Sequence, residues 1–159
     1  MSAHQQETAR HSVSVAGVIL DASATRVLLV QRRDNNLWEP PGGVLELNET
    51  IEDGLRREIE EETGVTVNIE ALTGVYKNMR RGIVALVFRC RALKEPSDAT
   101  AEASAVVWHP THAVNALMTP AYAVRVIDAL IPQLATIRSH DGTDLLGGNT
   151  GPSDHIKRV

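Results

Sequence analysis

Four glutamates occupy positions 58, 60, 61 and 62 of the segment RREIEEETG, which runs from Arg56 to Gly64. The neighbouring residues predict a helix, so Glu58 and Glu62 would be i,i+4 neighbours of like charge, which costs a few tenths of a kcal/mol. Anions at the C-terminal end of a helix cost roughly another 0.3–1 kcal/mol each. Folding alone therefore gives no reason for this arrangement. Hard divalent cations such as Mg²⁺ or Mn²⁺, which prefer oxygen ligands, do give one.

The predicted helix would hold three of these carboxylates beside the core. Thr50 is a good N-cap, and Gly64 supplies a left-handed stop. At about 100° per residue, Glu62 projects close to the apolar stripe of the helix, Glu58 lies at its edge and Glu61 lies a little further round. The stripe that must face the core consists of Ile51, Leu55 and Ile59.

A half-buried cluster of like charges is costly unless positive charge neutralises it. Arg57 is i,i+4 to both Asp53 and Glu61, but one guanidinium cannot balance three carboxylates. Divalent cations can supply the missing charge. The alternative is a solvated acidic face with i,i+4 ion pairs, which the inward direction of Glu62 disfavours.

The segment GVLELNETIEDGLRREIEEETGV, residues 43–65, adds a fixed spacing to this composition. It reads as a glycine, five residues, Glu49, seven residues, Arg57-Glu58, an apolar residue, any residue, two glutamates, any residue, a glycine and an apolar residue. Chance matching of so many positions is negligible. The segment resembles a complete Nudix box, the signature of the Nudix hydrolase family (MutT-like).

The resemblance implies a role for each matched residue. The expected metal is Mg²⁺, for which Mn²⁺ can substitute. Arg57 would hold the carboxylates in position, with Glu49 pairing to it. A carboxylate would take a proton from the attacking water, with Glu58 as the first candidate. The expected metal ligands are Glu58, Glu61, Glu62 and the carbonyl of Gly42. The expected substrate-binding residues inside the motif are Gly43 and Glu46.

Two residues outside the box also match the family pattern. Glu102, six residues before Trp108, resembles the late acidic residue that many members use as a metal ligand or base. Arg32 follows the strand pattern RVLLVQ and resembles the family's phosphate-binding arginine. The alternative is a surface charge in each case, on a loop for Glu102 and at a strand end for Arg32.

The elements that must position these residues follow from the pattern of apolar residues. Pro132 should kink or break the last helix, and WEPPGGV should stop any regular element. Strands are predicted over 12–20, 26–31, 65–76, 83–93 and 103–108, and helices over 50–63, 111–118 and from Pro120 through the apolar positions Val124, Ile127, Ile131 and Leu134. This order fits the α/β class and the family's α/β/α sandwich: a mixed β-sheet, the box loop and helix on one side, and a C-terminal helix.

Composition restricts the setting of this domain. A length of 159 residues predicts a single domain over residues 12–138, with a flexible N-terminus over 1–11 and a disordered tail over 139–159. The net charge of −4 argues against binding of large nucleic acids. The N-terminus has no signal pattern and VSVAGVIL is too short to span a membrane, so a cytoplasmic location is expected. Cys90, the single cysteine, is expected to be buried.

By resemblance, the chain should be an enzyme that hydrolyses the diphosphate linkage of a nucleoside diphosphate derivative. LLVQRRDNNLWEPPGG has the general form shared with nucleoside triphosphate hydrolases, which favours an NTP or modified-dNTP pyrophosphohydrolase. The alternatives are an ADP-ribose or nucleotide-sugar pyrophosphatase and a non-catalytic nucleotide-binding sensor. A diphosphate isomerase would need a catalytic cysteine. Many relatives are dimers, so a homodimer is expected.

Overall fold

The computed structural model describes residues 8–132 and 134–147, in which strands and helices alternate along the chain. The strands are β1 Ser12–Leu20, β2 Arg26–Arg32, β3 Trp38–Glu39, β4 Gly42–Val44, β5 Val67–Asn78, β6 Ile83–Ala92, β7 Ala103–Pro110, β8 Thr136–His140 and β9 Leu145–Leu146. The helices are α1 Ile51–Thr63, α2 Val114–Leu117 and α3 Pro120–Leu130, with a 3₁₀ turn at Thr111–Ala113 before α2. No helix in the described ranges combines the length and apolarity needed to cross a membrane.

All of these strands join one mixed sheet in which β1 is central. β1 pairs with β6 in parallel and with β2 and β4 in antiparallel orientation. β5 pairs antiparallel with β6 and parallel with β8, whereas β7 lies antiparallel to β2. The pairing of β1 with β4 brings the Gly-Gly segment to the middle of the sheet.

The sheet is buried on both faces because the strands alternate between two hydrophobic clusters. On one face Val15 and Ile19 of β1 pack with Leu55 and Ile59 of α1. On the other face the intervening Val18 belongs to the cluster that contains α2 and α3. Side chains of a strand point alternately to its two faces, so β1 serves both cores. The predicted α/β/α sandwich with a mixed sheet is confirmed.

Of two predictions about local structure at prolines, the one for WEPPGGV was wrong and the break of the last helix at Pro132 was confirmed. WEPPGGV was expected to contain no regular element, but it forms β3 and β4, with the prolines between the two strands. The last helix ends at Leu130, and Ile131 is extended (φ −94°, ψ 124°), as expected for a residue before proline. Leu134 is therefore exposed instead of lying on the apolar face of that helix.

The prediction of a disordered tail from Ser139 was wrong for residues 139–146. Ser139 and His140 end strand β8, which pairs in parallel with β5 and antiparallel with β9. The sequence lacked apolar periodicity there because β8 is stabilised by backbone pairing to the open edge of β5. Residues 1–7 and 148–159, which include most of the predicted flexible N-terminus, lie outside the described residues.

A buried polar contact joins α3 to the sheet. The hydroxyl of Tyr76, on β5, donates to Asp128 Oδ2 at 2.7 Å. Arg138, on β8, donates to both oxygens of Asp128 at 2.7 and 2.8 Å. Both Tyr76 and Asp128 are buried, so this carboxylate has compensating partners for its lost hydration.

We predict that Tyr76→Phe destabilises the protein by about 1.5–3 kcal/mol, the range for a hydrogen bond to a charged group, because Asp128 keeps its charge but loses one donor. Urea unfolding at neutral pH measures the change. Tyr122→Phe is the matched control, since the Tyr122 hydroxyl has no hydrogen-bond partner among the described residues. Equal effects of the two substitutions would contradict the assignment.

Candidate active site

The caps and apolar contacts of α1 fix how its carboxylates are presented. The Thr50 hydroxyl accepts from the Asp53 amide at 3.2 Å, and Gly64 ends the helix in the left-handed region at φ 70°. Leu55 and Ile59 are fully buried, which sets the rotation of α1 about its axis. Ile51 lies on the predicted stripe but is exposed, because it sits in the first turn, beyond the core contact.

Three carboxylates converge beside this helix. Ligand oxygens of Glu58, Glu61 and Glu102 all lie within 4.8 Å of one another. Glu58 is 9% exposed, and burial raises the pKa of its carboxyl group. Glu61 and Glu102 are exposed. Sequence separates Glu102 from the box by about 40 residues, and the pairing of β7 with β2 brings it back to α1.

Arg57 holds two of the box glutamates and Glu49 together. Its Nε and Nη2 donate to the two oxygens of Glu49 at 2.9 and 2.7 Å. Its Nη1 donates to Glu58 at 2.8 Å and to Glu61 at 3.2 Å. The bidentate bond from Arg57 holds the pKa of Glu49 well below its usual range, at about 2.

The expected contact between Arg57 and Asp53 does not form. The fork of Arg57 turns toward Glu49, in the loop before α1, and the neighbouring Arg56 pairs with Asp53 at 3.7 Å. Glu49 is the stronger partner because two guanidinium N–H groups bond both of its carboxylate oxygens, whereas an i,i+4 pair would make a single contact. Arg57 is thus a positioning residue for the acidic end of the helix.

Glu62 faces inward, as the helical geometry predicted. Its Oε2 accepts from the Gly42 amide at 2.8 Å. Burial raises the pKa of the Glu62 carboxyl group to about 8. A Cβ on Gly43 would lie only 2.4 Å from Glu58 Oε2, so a larger residue there would displace the Glu58 carboxylate. The Gly-Gly segment therefore forms a wall of the carboxylate site.

Arg32 lies at the end of β2 and borders the same site. Its guanidinium donates to Asp34 at 2.7 Å and to Glu39 at 3.1 Å. Glu39 is 8% exposed, and burial raises the pKa of its carboxyl group. Glu39 was not predicted as a site residue, although a charged residue directly before PPGG could have indicated one. A shallow cleft is lined by Arg32, Arg33, Asp34, Gly42, Gly43, Val44, Glu58, Glu62 and Glu102.

Glu46 is a predicted substrate-binding residue that does not line the carboxylate cleft. Its side chain is exposed in the loop before α1 and is not among the residues that line the cleft. Its backbone amide donates to Glu49 Oε1 at 2.8 Å, which supports the orientation of Glu49. A contact between the Glu46 side chain and substrate stays a prediction.

A second cleft of about 260 Å³ continues from the other side of Gly42 and Gly43. Its inner part was not predicted from the sequence, because its residues come from β5, α3 and β8, far apart in the chain. Arg32 also lines it, so the two clefts are adjacent. Its inner residues include Tyr76, Asn78, Tyr122, Arg125 and His140.

The donor set of the first cleft suits a divalent cation. Its carboxylate oxygens have few cationic partners. Among the described residues, Arg57 pairs with Glu58 and with Glu61, and no ion pair reaches Glu102. Hard divalent ions prefer such oxygen ligands. Burial, followed by the neighbouring carboxylates of Glu39, Glu58 and Glu102, raises the pKa of Glu62. The residues therefore fit a site for a metal such as Mg²⁺.

The family of the protein follows from comparison with known proteins. A family model described as the NUDIX domain matches residues 10–130. The chain belongs to the Nudix family. A MutT-like protein of Streptomyces ambofaciens is 49% identical over 148 residues, which are 92% of this chain and 96% of the relative. An ADP-ribose pyrophosphatase of Methanocaldococcus jannaschii is 34% identical over 84 residues, 48% of each chain.

Solved structures share this Nudix fold. The crystal structure of a NUDIX hydrolase from Nitrosomonas europaea matches with a TM-score of 0.71 at 23% identity, covering 84% of this chain and 82% of that one. The family match and the relatives identify the protein as a Nudix hydrolase, and the resemblance of its box is confirmed.

We predict that Glu62→Gln stabilises the metal-free protein at high pH. The folded carboxyl, with its pKa of about 8, binds a proton more tightly than the unfolded one, with its ordinary value of 4.5. The free energy of unfolding of the wild type therefore falls as the pH rises between these values. Glutamine, which can still accept from Gly42, avoids that loss, so the gain above pH 8 should be on the order of a few kcal/mol.

Urea unfolding in EDTA between pH 5 and 9 measures this difference. Glu60→Gln removes a charge from the exposed face of the same helix and should not reproduce the gain. A stability difference between wild type and Glu62→Gln that does not change with pH would contradict the buried, protonated state of Glu62.

Proposed function

We propose that this Nudix hydrolase is a metal-dependent pyrophosphohydrolase of nucleoside triphosphates or modified deoxynucleoside triphosphates. The observation that carries the proposal is the convergence of Glu58, Glu61 and Glu102 beside a cleft lined by Arg32 and Glu62, next to a second cleft large enough for part of a nucleoside. The likeness to a MutT-like protein over nearly the whole chain supports it.

In this proposal Mg²⁺, or Mn²⁺ in its place, would be held by Glu58, Glu61, Glu62 and the Gly42 carbonyl, with Glu102 at the rim. When bound, such ions neutralise charge on a diphosphate and lower the pKa of a water molecule. The Gly42 amide already bonds Glu62 at 2.8 Å, which places the backbone of β4 beside these carboxylates.

Three residues of the chain would then have separate roles in the reaction. Arg32 presents a guanidinium at the rim of the cleft, where it can bind a phosphate in exchange for its exposed partner Asp34. Gly43 lets the substrate approach the backbone closely. Glu58 takes the proton of the attacking water, and its burial favours this role because it makes the carboxylate more basic than an exposed one.

Other functions are distinguished by specific residues. An ADP-ribose pyrophosphatase is the second candidate, favoured by the relative that carries this name. A sensor domain would not need the whole set of box carboxylates. The isomerase is disfavoured because Cys90 is fully buried, and burial raises the pKa of its thiol to about 12. The cytoplasmic location and the homodimer stay predictions.

We predict that the protein with Mg²⁺ releases pyrophosphate or phosphate from nucleoside triphosphates in a panel that also contains modified dNTPs, ADP-ribose and nucleotide sugars. Glu61→Gln should lower kcat/KM by at least about 100-fold, since even outer partners of a metal site are worth 10–100-fold. Glu60→Gln is the matched control and should retain activity. Turnover of ADP-ribose alone would favour the second candidate, and no turnover would favour the sensor.

The general base is tested by comparing Glu58→Gln with Glu102→Gln at saturating Mg²⁺. We predict a decrease in kcat of about 10²–10⁴-fold for Glu58→Gln, the usual contribution of general acid–base catalysis, and loss of the acidic limb of the pH–rate profile. Glu102→Gln should lower kcat less and keep that limb. The reverse pattern would assign the proton transfer to Glu102.

A further inference from the structure

Arg125, on α3, is a buried cation with unusual surroundings. It is 7% exposed, and no hydrogen bond or ion pair connects it to another described residue; its Nε is buried without a partner. Its guanidinium lies over the rings of Tyr122 at 4.4 Å and Tyr76 at 5.3 Å. Such contacts offset only part of the cost of removing a charge from water. The free N–H donors of Arg125 therefore point to a ligand.

The position of Arg125 indicates which part of a substrate it meets. It lines the second cleft, which borders Gly42 and Gly43 on the side opposite the first cleft. Those two glycines also line the carboxylate cleft. If the phosphates of a nucleotide lie at the carboxylates, the group that reaches past the glycines to Arg125 is at the other end of the molecule, the nucleobase.

The neighbouring polar groups of this cleft are also donors. His140 Nδ1 accepts from the Gly142 amide at 3.0 Å, so its Nε2 carries the hydrogen, and that atom has no partner in the described chain. Asn78 Oδ1 accepts from the Arg80 and Arg81 amides, both at 3.1 Å, which leaves the Asn78 NH₂ group to donate. The acidic residue lining the cleft, Glu39, is engaged by Arg32.

We propose that Arg125 is the specificity-determining residue for the nucleobase and selects a purine with an oxygen at C6, by donating to its O6 and N7. This rests on the proposed function. Guanine and hypoxanthine present two adjacent acceptors on that edge, which match the planar fork of an arginine. Adenine presents an N6–H₂ donor beside N7, so its donor would face the donors of Arg125. Discrimination by such a bidentate pair corresponds to roughly 5- to 150-fold.

The test uses binding of the nucleoside monophosphates GMP, IMP and AMP to the full-length protein with Mg²⁺, measured by calorimetry. Wild type should bind GMP and IMP at least about fivefold more tightly than AMP. IMP lacks the 2-amino group of GMP, so similar affinities for the two assign the preference to the O6/N7 edge. Absence of binding of all three, a preference for AMP, or a preference for GMP that IMP does not share would overturn the proposal.

Two variants of Arg125 connect the preference to this residue. Arg125→Met removes the donors and should bring the GMP/AMP affinity ratio close to one. Arg125→Lys keeps the charge without the planar fork and should lower the ratio as well, so it serves if the Met variant does not fold. Arg81→Met, at an exposed arginine on the same cleft, should change both affinities alike and leave the ratio as in wild type.

The outcomes separate this inference from the proposed function. Binding that depends on Arg125, with no hydrolysis of triphosphates, would support the role of Arg125 and overturn the proposed reaction. Hydrolysis of triphosphates with a GMP/AMP ratio that Arg125→Met and Arg125→Lys leave unchanged would overturn the role of Arg125 and leave the reaction standing.

Discussion

The packing of Leu55 and Ile59 against β1 is the contact on which the site depends. A Cβ on Gly17 would lie 2.7 Å from Ile59 Cδ1. The side chain of Ile59 therefore packs directly on the backbone of β1, at a position where β1 has no side chain. This contact sets both the rotation of the helix and its distance from the sheet. Glu58 and Glu62 are thereby turned toward the Gly-Gly segment of β4, where water is partly excluded and carboxylates are less stable as anions.

The electrostatics of the acidic cluster follow from that placement. Arg57 stabilises Glu49 fully and Glu58 in part, but it does not reach Glu62. Burial is the main cause of the raised pKa values of Glu58 and Glu62, and neighbouring carboxylates add to it. In the proposed function, a divalent ion would supply the positive charge that compensates these carboxylates.

The β4 glycines lie between the proposed metal site and the proposed base-binding cleft. On one side their backbone approaches Glu58 and Glu62, and on the other it borders the cleft that contains Arg125. The two clefts consist of different parts of the fold: the first is formed by α1 and its surroundings, and the second by α3 and the last strands. In the proposed binding mode, a substitution in α3 would change base preference without any change in the box.

The sequence by itself determined the family, most of the fold and the residues proposed for the site. The box, the caps of α1 and the inward direction of Glu62 all depend on the spacing of residues within one segment. In a helix this spacing directly fixes the direction of each side chain. The main strands were equally readable, since their β-branched and apolar residues occur in continuous runs. The family could thus be recognised from 23 residues, and the comparisons agree with it.

Only the tertiary structure decided what lies far apart in the chain. The approach of Glu102 to Glu58 depends on the pairing of β7 with β2. Arg57 pairs with Glu49 instead of the predicted Asp53 because the loop before α1 folds back toward it. Strand β8 has no apolar signal because the edge of β5 supplies its partners, so the sequence predicted that His140 lies in a tail. Arg125 could be read from the sequence only as a residue of an amphipathic helix. Its burial without a hydrogen-bond partner among the described residues exists only after α3 packs on the sheet.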